Sequence, residues 1–137
     1  MTPAATPAHV RLLDVSKVLG TFRAVDHVSL DVPEGEFVTL LGPSGCGKTT
    51  TLRIIAGFYQ PDEGRVLIRD RDVTSVPPHR RNTAMVFQEY ALFPHMTVRE
   101  NVGYGLRMRR VPAGEAAARI GRAVDLVGLG GQERKFP

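Results

Sequence analysis

The chain has 137 residues, of which 42% are hydrophobic and 23% are charged, and its net charge is +4 at neutral pH. This composition is typical of a globular domain and argues against a disordered chain, and no apolar run is long enough to span a bilayer. A single cysteine, Cys46, excludes an intrachain disulfide and favours a reducing cytosol.

The first part of the chain is predicted to consist of strands. Residues 1–9 lack the basic and apolar regions of a secretory signal and are expected to form a short flexible lead-in. Residues 10–15 and 25–32 are rich in β-branched and apolar side chains, which predicts two strands separated by the turn-like LGTFR. Residues 37–41 form a continuous apolar run, which predicts a buried strand.

A helix and two further strands are predicted next. The helix runs from Lys48 to Ala56 and ends at Gly57. Residues 66–68 and 83–87 are the strand candidates. The polar, proline-broken stretch between them is predicted to be a surface connection with about one helical turn.

Two more helices complete the pattern. The sequence TVRE places Thr97 and Glu100 at the spacing of a capping box, so a helix is predicted to begin at Thr97. Pro112 introduces another helix over residues 113–127, which ends at a group of glycines. Because strands and helices alternate after residue 36, we predict an α/β fold with a parallel sheet.

The sequence GPSGCGKT, at residues 42–49, matches the Walker A pattern between a predicted strand and a predicted helix. Its glycines let successive N–H groups point at phosphate oxygens, and the helix N-terminus adds further N–H groups. Lys48 is predicted to reach the β- and γ-phosphates, and Thr49 to hold Mg²⁺ beside them. The predicted nucleotide-binding residues of this loop are Gly42, Pro43, Ser44, Gly45, Cys46, Gly47, Lys48 and Thr49.

Three features of the sequence also have a less specific interpretation. The Walker A pattern fixes only four positions, so the alternative is a chance match on a glycine-rich turn. The thiol of Cys46 is either acidified by the helix N-terminus or simply small enough for the loop. Arginines without interleaved aromatics predict solvated faces rather than a nucleic-acid groove. The basic pairs are Arg69 and Arg71, Arg80 and Arg81, and Arg109 and Arg110.

A second block of sequence narrows the class of phosphate-loop protein. MVFQEYALFPHMTVRENV, at residues 85–102, closely resembles the glutamine-loop region of ABC transporter ATPases. LDVPEGEFVTLLGPSGCGKTTTLRIIAG and PDEGRVLIRDRDVTSVPPHRRN extend the resemblance over nearly all of the chain from Val10. The chain looks most like ATPase subunits of bacterial importers for polyamines, ferric iron, sulfate and sugars, and YALFPHMTV with GYGLR favours the polyamine and iron branches.

The resemblance implies a domain organisation. It implies an α/β core of the P-loop NTPase type, with an N-terminal antiparallel β region, over residues 10–96. It also implies that a helical subdomain begins over residues 97–137 and is incomplete. The implied activity is that of an ATPase that uses ATP and Mg²⁺ to drive uptake of a small solute.

The resemblance also implies roles for individual residues. Gln88 matches the glutamine that contacts Mg²⁺ and the attacking water, so Lys48 and Gln88 are the implied catalytic residues. Thr50 matches a residue that commonly touches phosphate. At the position of the aromatic that usually stacks on adenine the chain has Leu19, and Phe22 is the alternative stacking residue.

Several partners are implied by the same resemblance. Tyr90, Leu92 and Phe93 match the segment that contacts the permease membrane subunits, and a small satellite core is the alternative explanation for these side chains. A second ATPase subunit in a homodimer is implied, and indirectly a periplasmic or lipid-anchored solute-binding protein, but no nucleic acid. The implied location is the cytoplasmic face of the inner membrane, or the cytoplasm before assembly.

Some motifs of the family's motor are missing from the sequence. It contains no Leu-Ser-Gly-Gly-Gln signature, and no apolar run that ends in Asp-Glu follows Gln88. LGGQER, at residues 129–134, imitates the signature, but its context resembles the segment that precedes a signature. The chain is therefore expected to be truncated, with weak ATP binding and negligible hydrolysis by the 137 residues alone.

Two other function classes compete with the importer ATPase. A soluble nucleotide kinase or GTPase would share the phosphate loop, but the sequence lacks a guanine-reading Asn/Thr-Lys-x-Asp motif. A non-hydrolysing, nucleotide-binding remnant of a truncated gene is the alternative outside the enzymes.

Overall fold

A computed structural model describes residues 8–137 and contains two compact units, one that ends at Met85 and one that covers Val86–Pro137. Of the predicted lead-in, residues 1–7 lie outside the described residues. Ala8 and His9 are not part of a lead-in, because they belong to the first strand and Ala8 is buried.

The first unit is built on a four-stranded antiparallel sheet. β1 (Ala8–Leu19) and β2 (Phe22–Pro33) form a long hairpin, and β3 (Glu63–Ile68) pairs with the other edge of β1. β4 (Arg71–Asp72) follows β3 and gives the order β2-β1-β3-β4. The antiparallel β region expected at the start of the chain is therefore confirmed.

One helix packs on this sheet. α1 (Lys48–Ala56) has the predicted bounds, and Gly57 ends it with a left-handed backbone. Ile54 of α1 is fully buried in a core cluster that takes its other members from β1, β2, β3 and the residue after β4. The members of this cluster are Leu12, Val15, Val25, Ile54, Val66 and Val73. Because the core holds α1 against the sheet, it also positions the loop that precedes α1.

Two of the predicted strands, residues 37–41 and 83–87, have no strand structure. Phe37 and Leu41 are 94% and 89% exposed, although an apolar run predicts burial. A strand of a parallel sheet needs neighbouring strands that accept and donate its backbone hydrogen bonds. The one sheet in the described part of the chain is antiparallel and does not include these segments. The predicted parallel sheet is therefore absent from residues 8–137.

The connection after β3 largely follows the prediction. β3 begins at Glu63, earlier than the sequence pattern indicates, because Glu63 and Arg65 pair with residues inside β1. The short strand β4 was not expected in a polar stretch. A short 3₁₀ helix, Pro78–Arg80, confirms the single helical turn.

The second unit contains two helices. α2 (Val98–Met108) follows the predicted capping box, in which Glu100 N–H donates to the Thr97 hydroxyl and Thr97 N–H donates to the Glu100 carboxylate. The two hydrogen bonds from Thr97 lower the pKa of this carboxyl from its ordinary value. The start of α2 is thus fixed by its own side chains.

The last helix, α3 (Ala113–Leu126), packs against α2. It follows Pro112 as predicted, and it buries Ile120 and Val124. None of the helices in the described part of the chain is long and apolar enough to cross a membrane.

Candidate functional site

The loop at residues 42–49 presents the start of α1 without a side-chain cap. Gly47 precedes the helix with a φ of 91°, and a Cβ at this position would overlap the carbonyl oxygen of Ala24 in β2. Only glycine therefore lets the helix begin this close to the sheet. The first turn carries no acidic side chain, and its N–H groups have no partners within the helix. A helix end of this kind attracts anions.

The ammonium of Lys48 is folded back onto this loop. Its Nζ donates to the carbonyl oxygens of Gly42 and Pro43, at 2.8 and 2.7 Å, and lies 3.4 Å from the Sγ of Cys46. These acceptors are neutral, so they solvate the charge without compensating it. A phosphate oxygen would offer Lys48 a shorter and stronger, charge-assisted hydrogen bond.

A cavity of about 260 Å³ opens beside the loop. One wall is the loop and the first turn of α1, and the other is the tip of the β1–β2 hairpin with Leu19 and Phe22. Phe22 is 59% exposed, so its ring is accessible to a ligand. No lining residue is acidic, and Lys48 is the cation among them. The lining residues are Leu19, Phe22, Ala24, Gly45, Cys46, Gly47, Lys48, Thr49 and Thr50.

Most of the site residues predicted from the sequence meet at this cavity. Gly42 and Pro43 contribute through the carbonyl oxygens that accept from Lys48, and Ser44 lies exposed in the same loop. Gln88 lies in the second unit, in an exposed turn, and its role toward Mg²⁺ and the attacking water stays a prediction.

The fit of Mg²⁺ depends on Thr49. The described residues contain no group of three or more His, Cys, Asp or Glu side chains that could hold a metal ion. Mg²⁺ in nucleotide sites does not require such a group, because it keeps several waters and binds mainly through phosphate oxygens. The exposed hydroxyl of Thr49, next to the helix N-terminus, is an oxygen ligand of the type that Mg²⁺ prefers.

The loop that precedes α2 is partly exposed and partly packed. Tyr90 and Leu92 are 78% and 54% exposed, whereas the ring of Phe93 lies 4.6 Å from that of Tyr104. The Asn101 amide accepts from the N–H of Phe93 at 2.9 Å and donates to its carbonyl at 3.1 Å. Phe93 thus has the packing expected of a satellite core, while Tyr90 and Leu92 remain available to a partner.

One arginine that the sequence suggests to be solvated is buried. Arg81 is only 6% exposed and donates four hydrogen bonds to backbone carbonyl oxygens, whereas the adjacent Arg80 is exposed. Burial lowers the pKa of the Arg81 guanidinium from its ordinary value. The prediction of solvated faces is therefore wrong for Arg81. No sequence signal distinguishes these two neighbouring arginines.

Comparison with known proteins places this geometry in context. The sequence model of the family described as ABC transporter matches residues 25–137. The chain is 57% identical over 131 residues to the spermidine/putrescine import ATP-binding protein PotA of Rubrobacter xylanophilus. This alignment covers 96% of this chain and 35% of that protein. It is 51% identical over 134 residues to the Fe(3+) ions import ATP-binding protein FbpC of Brucella abortus. This alignment covers 98% of this chain and 38% of that protein.

A solved structure also resembles the chain. It is an ATP-binding cassette in a dimeric, post-hydrolysis state bound to ADP and Pi, and it superposes with a TM-score of 0.81 at 30% identity. The match covers 93% of this chain and 61% of that one. This chain thus spans a little over a third of the length of the curated relatives above.

Proposed function

Because the chain belongs to the ABC transporter family, we propose that it is the ATP-binding part of an importer ATPase, which couples ATP binding and hydrolysis to uptake of a small solute. Membership of this family implies nucleotide binding. The names of the two relatives refer to import of spermidine/putrescine and of Fe(3+) ions, so a polyamine or ferric iron is the favoured solute.

The observation that carries the proposal is the loop at residues 42–49. It combines an uncapped helix N-terminus, a lysine with only neutral acceptors and a cavity without acidic side chains. These three features together favour a polyphosphate, because the helix N-terminus and Lys48 both attract negative charge and no acidic side chain of the cavity repels it. A chance match on a glycine-rich turn does not require any of the three.

In the proposed complex, Lys48 exchanges two neutral acceptors for phosphate oxygens. Its Nζ leaves the carbonyl oxygens of Gly42 and Pro43, and the N–H groups of the loop and of the first helical turn donate to the same phosphate chain. Phe22 and Leu19 form the apolar wall against which the adenine base packs. Thr50, which also lines the cavity, is proposed to contact phosphate as well.

Hydrolysis is proposed to involve two further groups. The hydroxyl of Thr49 would hold Mg²⁺ beside the phosphates, and this ion would neutralise charge on their oxygens. The side-chain amide of Gln88 both donates and accepts hydrogen bonds, which suits a group that orients a water molecule and contacts the metal. The proposed catalytic residues are therefore Lys48 and Gln88.

The proposal includes the partners of an importer. The exposed Tyr90 and Leu92, on a loop anchored through Phe93, are proposed to contact the permease subunits. A second ATPase subunit and, indirectly, a periplasmic or lipid-anchored solute-binding protein complete the assembly. Its location would be the cytoplasmic face of the inner membrane.

Titration of the chain with a fluorescent ATP analogue and Mg²⁺ tests the proposal. Lys48→Ala should weaken binding by about 10- to 100-fold, the effect of losing a charge-assisted hydrogen bond of about 1.5–3 kcal/mol. Lys135→Ala is the matched control, because it removes the same charge from a side chain that does not line the cavity. Folded protein that binds no ATP, or binds it equally well after Lys48→Ala, would contradict the proposed function.

A further inference from the structure

We infer that Arg81 is a positioning residue for the phosphate loop. It fixes the C-terminus of α1 and, through this short helix, the direction of Lys48 and of the N–H groups at the opposite end. The inference rests on the proposed function, because it concerns the same nucleotide site.

The contacts of Arg81 join two segments of the first unit. Its Nη1 donates to the carbonyl oxygens of Ile54 and Ile55 in the last turn of α1, both at 2.8 Å. Its Nε donates to the carbonyl of Val76 at 2.7 Å, and its Nη2 to that of Thr74 at 3.0 Å. The guanidinium therefore ties the end of α1 to the connection that follows β4.

The chemistry of this contact suits a helix C-terminus. The last carbonyl oxygens of a helix have no partners within it and carry the negative end of the helix dipole. Arg81 places a full positive charge there and satisfies two of these oxygens. A planar guanidinium can serve four acceptors at fixed angles, whereas an ammonium at one nitrogen cannot. The charge is buried, so loss of any of these partners is expensive.

The backbone around α1 makes room for this side chain. Gly57 has a left-handed φ of 86°, and a Cβ built there would lie 2.6 Å from the Nε of Arg81. Glycine at this position therefore serves both the helix end and the passage of the guanidinium. The contact is a tightly fitted one, in which a displacement of Arg81 changes the end of α1.

A change at one end of α1 is transmitted to the other because the helix is short and held at both ends. Its nine residues span about 14 Å. At the N-terminus Gly47 lies against the carbonyl of Ala24, and Ile54 is fixed in the core. A shift of the last turn consequently tilts α1 about the core and redirects Lys48, which is its first residue.

A double-mutant cycle tests this coupling. Arg81→Lys keeps the charge but loses the fork of donors, and we expect it to lower ATP affinity by about tenfold in the otherwise unchanged chain. In the Lys48→Ala background the same substitution should have an effect of about threefold or less, because the redirected group is already absent. Residues that only contribute to global stability have additive effects on binding at temperatures where both variants are folded.

A second variant tests the same coupling in case Arg81→Lys does not fold. Gly57→Ala keeps Arg81 but displaces its guanidinium, and it should show the same coupling to Lys48→Ala. Gly35→Ala is its control, because Gly35 has a similar φ of 79° with no atom within 4 Å of an added Cβ. If the effects of Arg81→Lys and Gly57→Ala on ATP affinity are additive with that of Lys48→Ala, the inference about Arg81 is wrong, and the proposed function is unaffected. A chain that shows no Lys48-dependent ATP binding overturns the proposed function itself.

Discussion

The antiparallel sheet and the segment at residues 37–41 differ in structure although their sequences are similar. Both are rich in β-branched and apolar residues. β1 has a paired strand on each edge, and its Leu12 is 1% exposed. Leu41, in an apolar run that also predicts a strand, is 89% exposed and belongs to no strand. The comparison shows that strand propensity becomes strand structure only where neighbouring strands and a core are available.

The largest expected effect is a difference between these two regions in how much a Leu→Ala substitution lowers the free energy of unfolding. Leu12→Ala removes a fully buried side chain and should lower the free energy of unfolding by about 2–5 kcal/mol. Leu41→Ala makes the same chemical change at an exposed site and should cost less than about 0.5 kcal/mol. Urea unfolding of both variants measures the difference. Equal losses would mean that residues 37–41 are packed in solution, which would contradict the comparison.

The helices could be predicted from the sequence because their signals are local. Lys48–Ala56 ends at a glycine, Thr97 and Glu100 cap α2 within one turn, and Pro112 precedes α3. Each signal involves residues close in sequence, so no information about the rest of the fold is needed. The prediction of a strand at residues 37–41 is wrong for the opposite reason, because a strand needs pairing partners that are distant from it in the sequence.

The candidate site divides in the same way. The phosphate loop is contiguous, and its residue types are those that a phosphate requires, so sequence alone predicts it. Leu19 and Phe22 join it only across the hairpin, and they were predicted from the family resemblance rather than from spacing. Arg81 was missed, because two of its acceptors, the carbonyls of Ile54 and Ile55, lie 27 and 26 residues away in the chain.

A smaller effect is expected where side chains repair the sheet. The β1–β2 ladder shifts register around Val15, and hydroxyl oxygens accept from backbone N–H groups at the irregular positions. The Oγ of Ser16 accepts from His27 N–H, and the Oγ of Ser29 accepts from Asp14 N–H, both at 3.0 Å. At these positions the irregular ladder offers the backbone N–H groups no carbonyl acceptor. The strand structure of this region therefore depends on the serine hydroxyls as acceptors.

The two serines form a matched pair for a test. Ser16 is 3% exposed, so Ser16→Ala removes a shielded acceptor from the His27 N–H and should cost about 1–2 kcal/mol. Ser29 is exposed, and water can replace its hydroxyl, so Ser29→Ala should cost less than about 0.5 kcal/mol. Chemical denaturation measures both variants. If Ser29→Ala costs as much as Ser16→Ala, burial does not decide the value of these hydrogen bonds.

The smallest expected effect concerns the join between β1 and β3 and depends on pH. The carboxylate of Asp62 accepts from Lys17 Nζ and from Val18 N–H, both at 2.7 Å. The hydrogen bond from Lys17, followed by that from Val18, lowers the pKa of Asp62 in the folded chain from its ordinary value of about 3.8. The carboxylate form is therefore bound more tightly in the folded than in the unfolded state.

The sign of the pH dependence follows from linkage. With a lowered pKa in the folded state, the contribution of Asp62 to stability is present above about pH 3.8 and is lost as the pH falls through the folded pKa. Asp62→Asn should flatten the acidic limb of a plot of urea midpoint against pH. Asp31→Asn, which removes a partner of Arg11 at 3.0 Å, provides the surface ion-pair control. An acidic limb that Asp62→Asn leaves unchanged would show that this join adds nothing to the sheet. The effect is small because Asp62 is exposed and water screens its contacts, so the sheet owes its order mainly to paired edges and buried residues.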